Sequence, residues 1–134
     1  MPQRLQRKRT PGSHLPEGTV CVDRSSKCYG NPFAIDMHIG QGDPFRPYLD
    51  AAVQKVLGID VRAWDMVAPG TRKIAVAAYE LWLADQPDLV ARIQRELRGK
   101  DLADYCPLPA EGEPDICHAA TLLRIANQPE DTNA

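Results

Sequence analysis

Apolar residues change their spacing several times along this chain, and each change marks an element. Over 18–24, the β-branched Thr19, Val20 and Val22 follow a turn at Pro16-Glu17-Gly18, which reads as a strand. Over 4–10, Leu5 alternates with polar and basic side chains, a pattern suited to a short edge strand whose charges discourage sheet-to-sheet pairing. From Phe45 the spacing lengthens, and Phe45, Leu49, Ala52, Val53 and Val56 recur at helical intervals. Asp43 stands as N-cap of that helix, Pro44 takes its first position, where a missing N–H is harmless, and Gly58 closes it. Thr71 caps a second helix to about residue 84, with Ile74, Ala77, Ala78, Leu81 and Trp82 on one face. A third begins at Gln86-Pro87, repeats Leu89, Ile93 and Leu97, and ends at Gly99. The segment 100–106, with Leu102, Ala103 and Tyr105 stopped by Pro107, reads as a strand entering the core. Asp115 caps a last helix from 116 to about 126, with Ala119, Leu122, Leu123 and Ala126 facing inward. Residues 36–42 read as a mobile loop and 59–70 as irregular or briefly helical.

Strands alternating with helices define an α/β fold: a small parallel or mixed sheet of two to four strands flanked by about four helices. Right-handed crossovers place strands 19–24 and 100–106 parallel, with their carboxyl ends on one edge. At 134 residues with 43% hydrophobic content, one core and a single domain over 1–134 are expected. Residues 1–10 form a basic arm or edge strand and 128–134 a frayed tail.

The formal net charge of −2 argues against a general polyanion binder. Yet Arg4, Arg7, Lys8 and Arg9 crowd one end, either as a solvated arm or as contacts to nucleic-acid phosphates. No run approaches the roughly 18 apolar residues that span a bilayer, and no apolar stretch follows the basic N-terminus. A cytoplasmic protein with no membrane partner is expected. In that reducing compartment the four cysteines are expected as free thiols or metal ligands. Cys21, within the apolar alternation, reads as a small core residue.

Candidate chemistry gathers at the two predicted strand ends. Cys117 falls in the first turn of a predicted helix, where the macrodipole favours thiolate, and neighbouring His118 can act as a base, so the two are the candidate catalytic residues. Asp104, Cys106, Cys117 and His118 also form a possible zinc set, although adjacent Cys117 and His118 rarely face one ion. After the other strand, Arg24, Ser25, Lys27 and Asn31 supply donors for an anion in a glycine-containing loop. The competing reading is a polar turn braced by Asn31-Pro32. Tyr29 and Phe33 offer faces on which a ring can stack.

Val22-Asp23-Arg24, Gly30-Asn31-Pro32-Phe33, Gly99-Lys100-Asp101-Leu102-Ala103 through Cys106-Pro107-Leu108, and Cys117-His118-Ala119 before Leu122-Leu123 together resemble the domain-of-unknown-function family 4326 of bacteria and bacteriophages. The resemblance spans roughly residues 4–127 and implies a compact intracellular α/β domain, with no activity attached. The family pattern usually has Cys-x-Cys before the proline, where this chain has Asp104, and tryptophan before the GNPF turn, where it has Cys28-Tyr29. The first departure turns an all-thiolate set into a mixed one.

Three functions remain open on the sequence. The first is binding or processing of a nucleotide-like or other anionic small ligand at the carboxyl edge of the sheet. The second is a zinc-stapled nucleic-acid-binding module, and the third a phage-type interaction protein with no active site.

Overall fold

The computed structural model describes residues 2–12, 14–23 and 29–129. Three short strands, β1 (Arg4–Gln6), β2 (Val20–Cys21) and the later Leu102–Asp104, form one sheet in which the last strand lies in the middle and pairs parallel with both others. Between them the chain runs through β3 (Ile39–Gly40), α1 (Arg46–Leu57), β4 (Met66–Val67), α2 (Arg72–Ala84) and α3 (Pro87–Leu97). The central strand is therefore β5, and α4 (His118–Ala126) follows it. The fold is α/β, with four helices among the described residues and a second, antiparallel pair formed by β3 and β4.

The central strand is buried along its whole length, with Leu102 and Ala103 inaccessible and Asp104 only 1% exposed. Two apolar residues satisfy the rule that a central parallel strand is covered on both faces; the aspartate at its end needs partners. The amide of Val22 continues the ladder to the carbonyl of Ala103 at 2.9 Å, and Arg7 N–H reaches the Asp104 carbonyl at 2.5 Å. All three strands thus finish on one edge, with β2 and β5 side by side as the alternating pattern requires.

Helix α1 packs on α2, and α3 on α4. Leu49, Tyr79, Leu83, Ile93, Leu97 and Leu122 fill the shared core. Phe33 is fully buried and meets Phe45 edge-on at 5.4 Å. Thr71 caps α2, its hydroxyl accepting from Ile74 N–H at 3.2 Å, and Gly58 closes α1 at φ 70°, both as the spacing predicts. Among the described residues no helix is long and apolar enough to cross a membrane.

Several expectations are corrected. Asp43 closes a turn rather than capping α1: its carboxylate accepts from Phe45 N–H and its carbonyl from Arg46 N–H. The helix begins at Arg46, with Pro47 in its first turn. Asp115 does not cap α4 because its carboxylate is held by Arg4, and the helix starts at His118 with Cys117 in the cap position. The segments expected as a mobile loop and an irregular stretch instead pair, Ile39 with Val67 and Gly40 with Met66. Two-residue strands leave too short an alternation to detect. Cys21 is half-buried, and the core position belongs to Val22.

Candidate functional site

Arg4 organises the carboxyl edge. Its side chain is buried, and all five of its N–H donors are engaged. They reach Asp104 Oδ1 at 2.9 Å, the carbonyls of Cys106 and Pro107 at 2.9 and 2.7 Å, and both oxygens of Asp115 at 2.5 and 2.8 Å. One guanidinium therefore ties the loop after β5 to the loop before α4, which brings Cys106 and Cys117 together. Arg4 is thereby withdrawn from the basic set proposed to meet phosphates. Arg7 also turns inward, to Asp23, whereas Lys8 and Arg9 are exposed.

With Oδ1 of Asp104 held by Arg4, Oδ2 faces the other way. It accepts from the Cys117 thiol at 2.5 Å and lies 3.7 Å from His118 Nδ1. Cys106 stands on the same edge and lines the cavity with Asp104 and His118. The ligand atoms of Asp104, Cys117 and His118 lie within 4.8 Å of one another, and all three residues are buried. Adjacent residues converge here because Cys117 is extended, at φ −153° and ψ 145°, instead of helical. His118 Nε2 sits 2.5 Å from the Val22 carbonyl. A carbonyl can only accept, so Nε2 carries the proton and Nδ1 is the atom turned to Asp104.

The thiol chemistry departs from the helix-start expectation. Hydrogen bonding to Cys106, then burial, then the Asp104 carboxylate push the Cys117 thiol up, so it stays protonated. The cap-position dipole is outweighed because the charged form would face a carboxylate away from water. The neighbouring Cys117 side chain holds the Cys106 thiol below its usual range. Cys106 is half-buried.

A cavity of about 450 Å³ opens on this edge, lined by Asp104, Tyr105, Cys106 and His118 on one side and by Arg72, Ala75 and Val76 of the first turns of α2 on another. Asp23, Asn31 and Arg9 complete its rim. The Arg9 guanidinium lies 4.2 Å from the centre of the Tyr105 ring, and that of Arg7 4.7 Å, both in cation–π range.

Of the residues expected to hold an anion, Arg24, Ser25 and Lys27 lie outside the described residues, and Asn31 borders the cavity. The Asn31 amide also braces the chain, accepting from Phe33 N–H at 2.8 Å and donating to the Ala75 carbonyl at 3.2 Å. Tyr29 and Phe33 are not stacking faces for a ligand. Both are core residues, Tyr29 with its hydroxyl on Glu96 and its carbonyl accepting from Tyr79. The aromatic face at the cavity is Tyr105. Arg72 and Tyr105 escape a sequence reading because their meeting depends on how α2 packs across the sheet edge.

These features define a small α/β protein with a carboxylate, imidazole and thiol cluster at the carboxyl edge of a three-stranded parallel sheet. The chain belongs to the family described as Domain of unknown function (DUF4326), whose family model matches residues 5–128. No curated protein and no solved structure matches it.

Proposed function

We propose that this protein binds a small anionic, nucleotide-like ligand in the cavity at the carboxyl edge of its sheet. The observation that carries the reading is a space of about 450 Å³ bordered by the cations Arg9 and Arg72 and the ring of Tyr105. That volume falls within the range of small-molecule sites. Its position, beyond the ends of parallel strands, is where open α/β sheets commonly hold ligands. The N-terminus of α2, whose Arg72, Ala75 and Val76 line the cavity, adds the partial positive charge of a helix start on the same side. Arg24, Ser25 and Lys27 follow cavity-lining Asp23 directly in the chain and are candidate further donors. Cys106 and His118 line the same cavity.

Thermal unfolding of the protein in the presence of nucleoside mono-, di- and triphosphates, free nucleosides and inorganic phosphate tests this. The expected result is a concentration-dependent rise in Tm with a ring-bearing phosphate, as binding to the native state requires. The rise should shrink with the free nucleoside or with inorganic phosphate alone, and disappear in Arg72→Ala. A flat response across the series, or an equal rise in Arg72→Ala, would overturn the assignment.

A further inference from the structure

We propose that Asp104, Cys106, Cys117 and His118 bind one zinc ion, through Oδ2, the two Sγ atoms and Nδ1. The inference does not rest on the ligand reading, and either can fail alone.

The geometry supplies three independent supports. First, three donors converge: Cys117 Sγ is 2.5 Å and His118 Nδ1 3.7 Å from Asp104 Oδ2 and the three lie within 4.8 Å of one another, while Cys106, on the same edge and lining the same cavity as Asp104 and His118, is placed to supply the fourth. In a tetrahedral zinc site with bonds of about 2.0–2.3 Å, neighbouring ligand atoms sit roughly 3.3–3.8 Å apart. The Asp104–Cys117 contact must open by about 1 Å to reach that spacing, exchanging an S–H···O hydrogen bond for two metal bonds. Extended Cys117, just outside the helix, has the backbone freedom to do so.

Second, the surrounding contacts orient the donors as metal sites require. Imidazole ligands commonly give their second N–H to a carbonyl or carboxylate, which fixes the tautomer and turns the other nitrogen to the metal. His118 does this with the Val22 carbonyl. Ligating carboxylates are likewise hydrogen-bonded from outside, and Arg4 holds Asp104 by the oxygen that faces away from the thiols.

Third, the charges balance. Zinc binding displaces a proton from each thiol. The two thiolates and the Asp104 carboxylate then face the double charge of zinc and the single charge of Arg4, with His118 neutral. Zinc with two thiolates leaves the net charge of the cluster the same as two neutral thiols do, so binding buries no uncompensated charge. Two thiolates favour zinc over magnesium or calcium, which prefer oxygen. With four protein ligands the site is closed, and its role is to lock the loop after β5 against the start of α4, at the wall of the cavity.

The test is cobalt substitution of the reduced, chelator-stripped full chain, followed by zinc competition. One equivalent of Co(II) should give tetrahedral d–d bands and a thiolate-to-cobalt charge-transfer band, both bleached by one equivalent of zinc. Cys106→Ser, at a half-buried position that tolerates the exchange, should weaken the charge-transfer band by about half, and circular dichroism will report that it remains folded. His118→Gln should shift the d–d bands. No uptake, or weak octahedral cobalt spectra that are the same in Cys106→Ser, would overturn the proposal. So would a reduced protein that re-forms a Cys106–Cys117 disulfide in air but binds no metal, which would make the pair a redox couple instead.

Discussion

Two buried arginines hold this molecule together in the same way, and only one of them sits beside chemistry. Arg46, at the start of α1, is 4% exposed, and its five N–H donors are also all engaged. They reach Asp50 and the carbonyls of Ile39, Val61, Trp64 and Asp65, stitching the β3–β4 pair to the helix. Arg4 performs the equivalent task at the sheet edge with two carboxylates and two carbonyls. Arg46 meets its acid one helical turn along its own helix, whereas Arg4 meets Asp104 and Asp115 about a hundred residues away. The partner Asp104 also keeps a second oxygen directed at the Cys117 thiol and the His118 imidazole. A guanidinium whose acid lies on its own helix and whose other partners are carbonyls builds a loop; one that pins a distant buried carboxylate in a fixed orientation prepares that carboxylate for a further partner.

Removing either arginine should have the largest effect. Arg4→Ala leaves Asp104 charged and buried, and Arg46→Ala leaves several buried carbonyls unpaired, so each should lower stability by about 3–5 kcal/mol, measured by urea denaturation. The comparison is sharpened by cobalt uptake in whatever folded fraction remains: it should be lost with Arg4→Ala and kept with Arg46→Ala. Equal loss of uptake in both would mean that the two clamps are not functionally distinct. Taking away the acid partner is a gentler version. Asp115→Ala and Asp50→Ala should each lower stability by about 1–2 kcal/mol, because both carboxylates are partly accessible and solvent screens the pairs.

Thr71→Ala removes the cap of α2 at the cavity wall and should lower stability by about 1 kcal/mol, read as a shift in the urea midpoint with an unchanged slope. The smallest effect belongs to the exposed pair between Asp60 and Arg62. Hydrogen bonds from the Arg62 side chain and backbone lower the Asp60 carboxyl from 3.8 to about 2. The folded value lies below the unfolded one, so the pair favours the native state above the ordinary carboxylate value and loses that contribution as pH falls through about 2. Arg62→Ala should move the Asp60 titration upward, followed by NMR, with no measurable change in the urea midpoint at neutral pH. An unmoved titration would show that the pair is not formed in solution.

Helices were the most legible part of the sequence. Leu49, Ala52 and Val53, or Leu89, Ile93 and Leu97, repeat over several turns, and Thr71, Gly58 and Gly99 mark ends by local backbone preference. The pairing of β3 with β4 was not legible, because two residues per strand carry no period. At the site, the convergence of Asp104, Cys106, Cys117 and His118 on one edge follows from strand direction, and the sequence contains that much. Their detailed arrangement does not follow from it. The direction of the Cys117 shift, the burial of Tyr29 and Phe33 and the role of Arg4 all depend on contacts between distant segments.

The sequence by itself determined where most of the helices lie, that the second and the last strand of the main sheet run parallel, and which edge collects the thiols and imidazole. These are consequences of local spacing and capping, and of the handedness of crossovers between strands. Only the tertiary structure decided which charges are buried and which faces the cavity presents. Arg4 looks like part of a basic tail until β1 docks beside β5, and burial then obliges every one of its donors to find an acceptor, because an unpaired buried guanidinium is too costly to leave.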